Sequence, residues 1–261
     1  MMKPWAHRSF LALFAWLIGC ASAFAGRPLS IDDAAPVATG QLEFELGFSQ
    51  TRPIGGGRDQ KLPMIGLTYG VYEKLEVGLA LQRANQDGPG SAPVRGFEDL
   101  HLTAKYKFVE ESPAFPAFAA ALDIKMPTAS RAKGLSTGRG DEALLLIASK
   151  TFTPIALHAN LGYRIVGDRP GDRLNNIPHG GAALEWLIAP HWSLVGEITG
   201  AGRAANPARN EANILLGGRF SALPNLVLDM AVGRSLRATG TAIQGTFGLT
   251  WTLDLTHTQR P

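Results

Sequence analysis

The chain has 261 residues, enough for one large β domain or two ordinary ones, with 18% charged residues and 30 glycines. A mean hydropathy of +0.02 and the lack of any run of 18 or more apolar residues exclude a helical membrane protein. The formal charge of +3 falls to +1 once Lys3 and Arg8 of an expected leader are set aside, and no basic patch is clustered, so nothing points to a nucleic-acid partner.

The N-terminus opens with a basic lead, MMKPWAHR, then a short apolar core, SFLALFAWLIG, then small residues, ASAFA. This order predicts a signal peptide over residues 1–25 with cleavage after Ala25. A second processing route competes, because LIGC at 17–20 resembles a bacterial lipobox that would make Cys20 the lipidated first residue. Both routes mean export. Cleavage after Ala25 leaves a mature chain without cysteine, so disulfides and thiol chemistry drop out. The polar, proline-containing lead at 26–39 follows.

From residue 40 onward, twelve segments read at period two. In GQLEFELGFSQT, Leu42, Phe44, Leu46 and Phe48 share one face, while Gln41, Glu43, Glu45 and Ser49 share the other. In LTYGVYEKLEVGLAL, residues 67–81, two such segments fold about a short polar turn. The spans are about 40–51, 61–72, 74–84, 97–109, 116–127, 141–152, 155–166, 179–189, 191–201, 209–221, 225–236 and 241–254. None carries a helical period. In DEALLLIASKTF, at 141–152, the apolar run fits either face. Placing Glu142 and Lys150 on the polar face puts Leu145 and Ile147 on the apolar one.

Connections after even-numbered segments are short, and those after odd-numbered segments are mostly longer and rich in Gly, Pro and Asn. That asymmetry is the meander of an outer-membrane barrel, with periplasmic turns and external loops. Apolar-face aromatics gather near the short-turn end: Phe44, Tyr69, Tyr106, Phe118, Phe152, Trp186, Trp192, Phe220 and Trp251. An interfacial girdle belongs there. The opposite face carries the charge, and its lumen-lining candidates are Glu45, Glu76, Asp99, Lys105, Lys107, Asp123, Arg164, Glu185, Glu197, Arg219 and Asp229. Segments of ten or more residues suit a tilted strand crossing a bilayer better than a sandwich strand of about five or six. The expected architecture is all-β: one transmembrane up-and-down antiparallel barrel of about 12 strands over 40–255, with a tail at 256–261.

Several stretches resemble a known family: RPLSIDDA with its Glu-rich first strand, LTYGVYEKLEVGL, GFEDLHLTAKYKF, IKMPTAS before a Gly-rich run, NLGYR and GGRFSALPNLVLDMAVG. They are similar to the meta-pathway phenol-degradation family of bacterial outer-membrane transporters, over about residues 26–254. The motifs are strand-and-turn patterns, specific for architecture and weak for substrate. The resemblance implies inward movement of aromatic or other hydrophobic compounds. One departure is the C-terminus: such barrels commonly end on an aromatic residue read by the assembly machinery, whereas THTQRP follows Leu255 here.

Signs of catalysis are sparse. His191, Ser193 and Asp229 could be imagined as a hydrolase triad, but His191 sits in an expected turn and no G-x-S-x-G occurs. The six histidines have no i, i+2 or i, i+4 pairs, so no metal site is expected. GLSTGRG at 134–140 lacks a following Lys-Ser or Lys-Thr and reads as an external loop, not a phosphate cradle. The lumen charges have two readings, cross-strand pairing (Glu76 with Lys105 or Lys107) or the lining of a permeation path. The expected function is passive uptake of a small solute by a monomeric barrel among outer-membrane lipids, without a cofactor. The alternatives are a non-transporting structural or surface-interaction barrel and an outer-membrane lipid hydrolase. Whether the lumen is open, filled by side chains or closed by 26–39 is left undecided by the sequence.

Overall fold

A computed structural model describes residues 26–90, 92–167, 174–205, 210–237 and 241–256. The leader, Cys20 and most of the C-terminal tail lie outside the described residues. Thirteen strands follow in chain order: β1 (Gln41–Pro53), β2 (Arg58–Tyr72), β3 (Leu75–Asp87), β4 (Val94–Phe97), β5 (Leu100–Val109), β6 (Ala117–Met126) and β7 (Asp141–Phe152). The rest are β8 (Ile155–Ile165), β9 (Ile177–Ala189), β10 (Trp192–Ala201), β11 (Glu211–Leu223), β12 (Leu226–Ser235) and β13 (Thr241–Asp254). Each pairs antiparallel with its neighbours, and β1 closes on β13 from Gln41↔Asp254 to Pro53↔Thr241. The ring of strands therefore closes on itself, as a bilayer demands, with the short β4 paired to β3 alone among the described residues.

Both β4 and β5 lie against β3, end to end, interrupted at Glu98 and Asp99. They form one wall position, so the barrel has twelve strands, and the expected segment 97–109 is this broken strand. The break has a cause in side-chain chemistry. The Asp99 carboxylate accepts the Ala129 N–H at 2.8 Å and the Ser136 hydroxyl at 2.7 Å, pinning the β6–β7 loop. Strand ends elsewhere fall within about three residues of the sequence reading. A short 3-10 turn at Arg131–Lys133, absent from that reading, sits in the pinned loop.

The wall is apolar outside and polar inside. Along β8, Leu157, Leu161 and Tyr163 are exposed, while His158 and Asn160 between them are buried. Ile147 is the one large side chain among the described residues that is fully buried, whereas Leu146, Leu216, Met230 and Val232 stand exposed. A soluble protein of this length would bury its large apolar side chains. Here their solvent is lipid.

One strand reverses its expected facing. In β7, Asp141, Ala143, Leu145, Ile147 and Ser149 turn inward, and Leu144 and Leu146 turn outward with Glu142. The two charges used to orient the strand sit at its ends, outside the apolar band. Lys150 reaches the Ser112 carbonyl at 2.5 Å and Glu111 at 3.3 Å in the β5–β6 turn. Charges at strand ends therefore report on the turn, not on the face.

Candidate functional site

The lumen is crossed by residues 26–39, a strap that enters no strand of the wall until Thr39 bridges Gly70 and Gly40 donates to the Gly70 carbonyl at 2.8 Å. Its path is fixed residue by residue. The Arg27 guanidinium donates to Thr246 Oγ1 at 2.8 Å and the Phe247 carbonyl at 2.9 Å, and pairs with Asp229 at 3.4 Å. Glu197 accepts the Ser30 and Ile31 N–H groups at 2.8 and 3.0 Å and the Ser30 hydroxyl at 2.9 Å. Ala34 donates to Ser149 Oγ at 2.9 Å, and Ser149 shares a 2.9 Å hydrogen bond with His158 Nδ1. Val37 donates to Glu76 at 2.6 Å. The strap thus meets β12 and β13, then β10, β7, β3 and β2.

Space for it is made by small residues. Ala34 is wholly buried against Ala117, Ala119 and Ile147. A Cβ on Gly70 would fall 2.1 Å from the Ala38 carbonyl oxygen, and one on Gly47 would fall 2.1 Å from Arg27 Nη1. A glycine inside a strand often marks close approach of another backbone or side chain, and these two do.

The lumen candidates from the sequence all find partners. Lys105 stands directly opposite Glu76 in the β3–β5 register, with Nζ 3.1 Å from the Glu76 carboxylate and 3.1 Å from Asp32 of the strap. Lys107 turns instead to Glu110 in the adjoining turn, at 2.8 Å. Arg219 pairs with Glu185 at 2.6 Å and donates to the carbonyls of Gly26 and Arg27 at 2.6 and 2.8 Å. Asp123 holds both His101 at 2.8 Å and Arg164 at 3.2 Å. Lys125 joins Asp141 at 2.8 Å and Asp99 at 3.7 Å. Glu45 accepts the Arg27 N–H at 3.3 Å. A buried charge needs such partners, because an uncompensated one costs several kcal/mol.

Outside, the aromatics named from the sequence stand toward the short-turn end. Trp192 packs on Phe220 with centroids 4.6 Å apart, Phe108 stacks on Phe118 at 6.3 Å, and Phe44 faces Trp251 across β1 and β13. Tyr69, Tyr106, Phe152 and Trp186 are exposed on the outer wall. The imagined triad is not assembled: His191 is exposed in the β9–β10 turn, Ser193 lies in β10, and Asp229 is engaged by Arg27. No metal-ligating group of three or more side chains occurs among the described residues.

Sequence reasoning missed the strap's own contributions, Arg27, Ser30 and Asp32. The available signal was a set of glycines in strand interiors, Gly47, Gly70 and Gly248, where a pleated wall alone needs none.

Beside the strap an open cavity of about 1060 Å³ remains, lined in the short-turn half by Glu43 and Thr252 and in the long-loop half by His179, Glu211 and Asn213. A closed twelve-stranded barrel with a lipid-facing apolar wall and a charged lumen is an outer-membrane β-barrel. The chain belongs to the family described as "Putative MetA-pathway of phenol degradation", whose model matches residues 25–253. Among solved structures it is similar to the COG4313 outer membrane channel from Pseudomonas putida F1, with a TM-score of 0.68 and 15% identity, covering 86% of this chain and 100% of that one. It is also similar to the NanC porin, with a TM-score of 0.56 and 7% identity over 81% of this chain and 98% of the other. At these identities the likeness concerns the fold. A comparison with curated proteins returns no match.

Proposed function

We propose that the barrel conducts small solutes passively across the outer membrane, down their gradient, through the lumen space beside the strap. The observation that carries this reading is the cavity of about 1060 Å³, whose lining comes from both halves of the barrel. Asp32, Glu76 and Lys105 put charge on the cavity lining, so the cargo must tolerate polar walls. Small aromatic molecules carrying a polar group suit both that lining and the family's description. Selection is by size and polarity, with no cofactor and no chemical step. The protein works as a monomer, placed among outer-membrane lipids by the outer-membrane assembly machinery.

A second reading has one observation in its favour. The strap is tied to strands around most of the wall, as expected of a non-transporting barrel whose external loops bind a partner. Liposome swelling separates the two. Proteoliposomes of the mature chain should swell in small sugars and in a phenolic solute, at rates altered by Glu76→Ala or Lys105→Ala. Swelling no faster than in protein-free liposomes sinks the channel reading.

A further inference from the structure

The start of the strap is held more closely than a free chain end requires. The Gly26 carbonyl accepts Arg219 Nη2 at 2.6 Å, and the next carbonyl, of Arg27, accepts Nε of the same guanidinium at 2.8 Å. Gly26 also lies against Glu45: a Cβ built on Gly26 would sit 3.0 Å from Glu45 Oε1. Among the described residues the Glu45 carboxylate receives one N–H, from Arg27 at 3.3 Å, while the Arg27 guanidinium itself goes to Asp229, Thr246 and Phe247. Glu45 is therefore a lumen carboxylate beside the first residue of the strap, with a backbone amide where a cation would fit.

The sequence supplies that cation. Hydrolysis of the Ala25–Gly26 amide by a signal peptidase consumes one water and leaves a carboxylate on Ala25 and an amine on Gly26, protonated at neutral pH. We propose that the Glu45 carboxylate is a capture site for this α-ammonium, so that removal of the leader completes the lumen's charge pairing and seats the strap. Capture of an N-terminal amine is a recurring recognition mode, and here the ligand is the chain's own new end. Glycine at position 26 suits this role, since a side chain there would press on the carboxylate. In a chain that keeps residues N-terminal to Gly26, the Gly26 nitrogen is an amide and carries no charge. Lipobox processing at Cys20 would keep six such residues and place no amine at Glu45. The inference concerns maturation and stands apart from transport, so a barrel silent in conductance assays leaves it intact.

The test uses mature protein purified from outer membranes. N-terminal sequencing should begin at Gly26, and reductive methylation of its α-amine at neutral pH should run at least tenfold slower than in the same protein unfolded. In Glu45→Gln the folded protein should label at the unfolded rate, with heat-modifiable gel migration reporting an intact barrel. Should that variant not fold, a chain extended by Ala-Ser before Gly26 serves: the slow hydrogen exchange of the Ile31 amide, held by Glu197, should be lost. A sequence beginning at Cys20, an α-amine labelled equally fast folded and unfolded, or an extension that leaves Ile31 protected would each overturn the proposal.

Discussion

Gly47 and Gly248 stand directly opposite each other in the β1–β13 ladder, and the Arg27 guanidinium lies where their side chains would be. The three atoms nearest a Cβ on Gly47 all belong to Arg27, whereas a Cβ on Gly248 also meets the Leu46 carbonyl at 2.5 Å. Gly47→Ala therefore displaces the end of a flexible side chain and leaves the wall in place. The expected outcome is a barrel that still shows heat-modifiable migration but has a larger unitary conductance, reproduced by Arg27→Ala. Unchanged conductance in both variants would mean that Arg27 does not hold the strap.

Lys105 carries a heavier load than Lys107. It is buried between Glu76 and Asp32, whereas Lys107 pairs with the exposed Glu110 at the rim. Removing one partner of a buried pair costs about 3–5 kcal/mol, and losing a surface pair costs about 0–1 kcal/mol. Lys105→Met should lower the urea midpoint of unfolding from lipid vesicles by the larger amount and Lys107→Met by the smaller. Tryptophan fluorescence gives the readout, and equal shifts would argue against the strap's place in this network.

The outward facing of the apolar residues gives a depth-dependent expectation. Leu216 lies mid-strand in β11 and is exposed, and Leu236 is exposed beyond the long-loop end of β12. Arginine on the lipid face costs about 2–4 kcal/mol at the midplane and about 0–1 kcal/mol near the interface. Leu216→Arg should therefore be the costlier in the same vesicle titration. A larger cost at Leu236 would put the membrane elsewhere on the barrel.

Much of this fold was legible in the sequence because a barrel wall is built from period-two alternation and turn length, both local. The twelve wall positions, the antiparallel meander and the closed barrel follow from the two segments of LTYGVYEKLEVGLAL and their ten companions. Strand β7 was not, because Ala143, Leu145 and Ile147 are as apolar as Leu144 and Leu146. Its facing is decided by what Asp141 and Ser149 bind inside, Lys125 and the strap. The strap itself carries no periodicity. Its path is fixed by contacts with residues more than a hundred positions away, such as Arg27 with Asp229 and Ser30 with Glu197. Only the strand glycines hinted that something must approach the wall.

Outside the membrane, Glu111 in the β5–β6 turn gives a pH signature. Burial works to raise its pKa, but the hydrogen bonds from the Thr151 N–H and hydroxyl and from Lys150 prevail and hold it below the ordinary 4.5. A depressed carboxylate stabilises the folded turn above its unfolded pKa, and that contribution is lost as the pH falls through the folded value. Hydrogen exchange at the Thr151 amide should quicken below about pH 4, in excess of the intrinsic pH trend. Glu111→Gln should abolish that excess, and an unchanged profile in the variant would refute the assignment.

The central claim, a solute path that shares its lumen with the N-terminal strap, is tested most directly by single-channel recording in planar bilayers. The mature chain is compared with a variant lacking residues 26–37. The account predicts small discrete steps for the mature chain and steps several-fold larger without the strap. Silence from both, or steps of equal size, would contradict it.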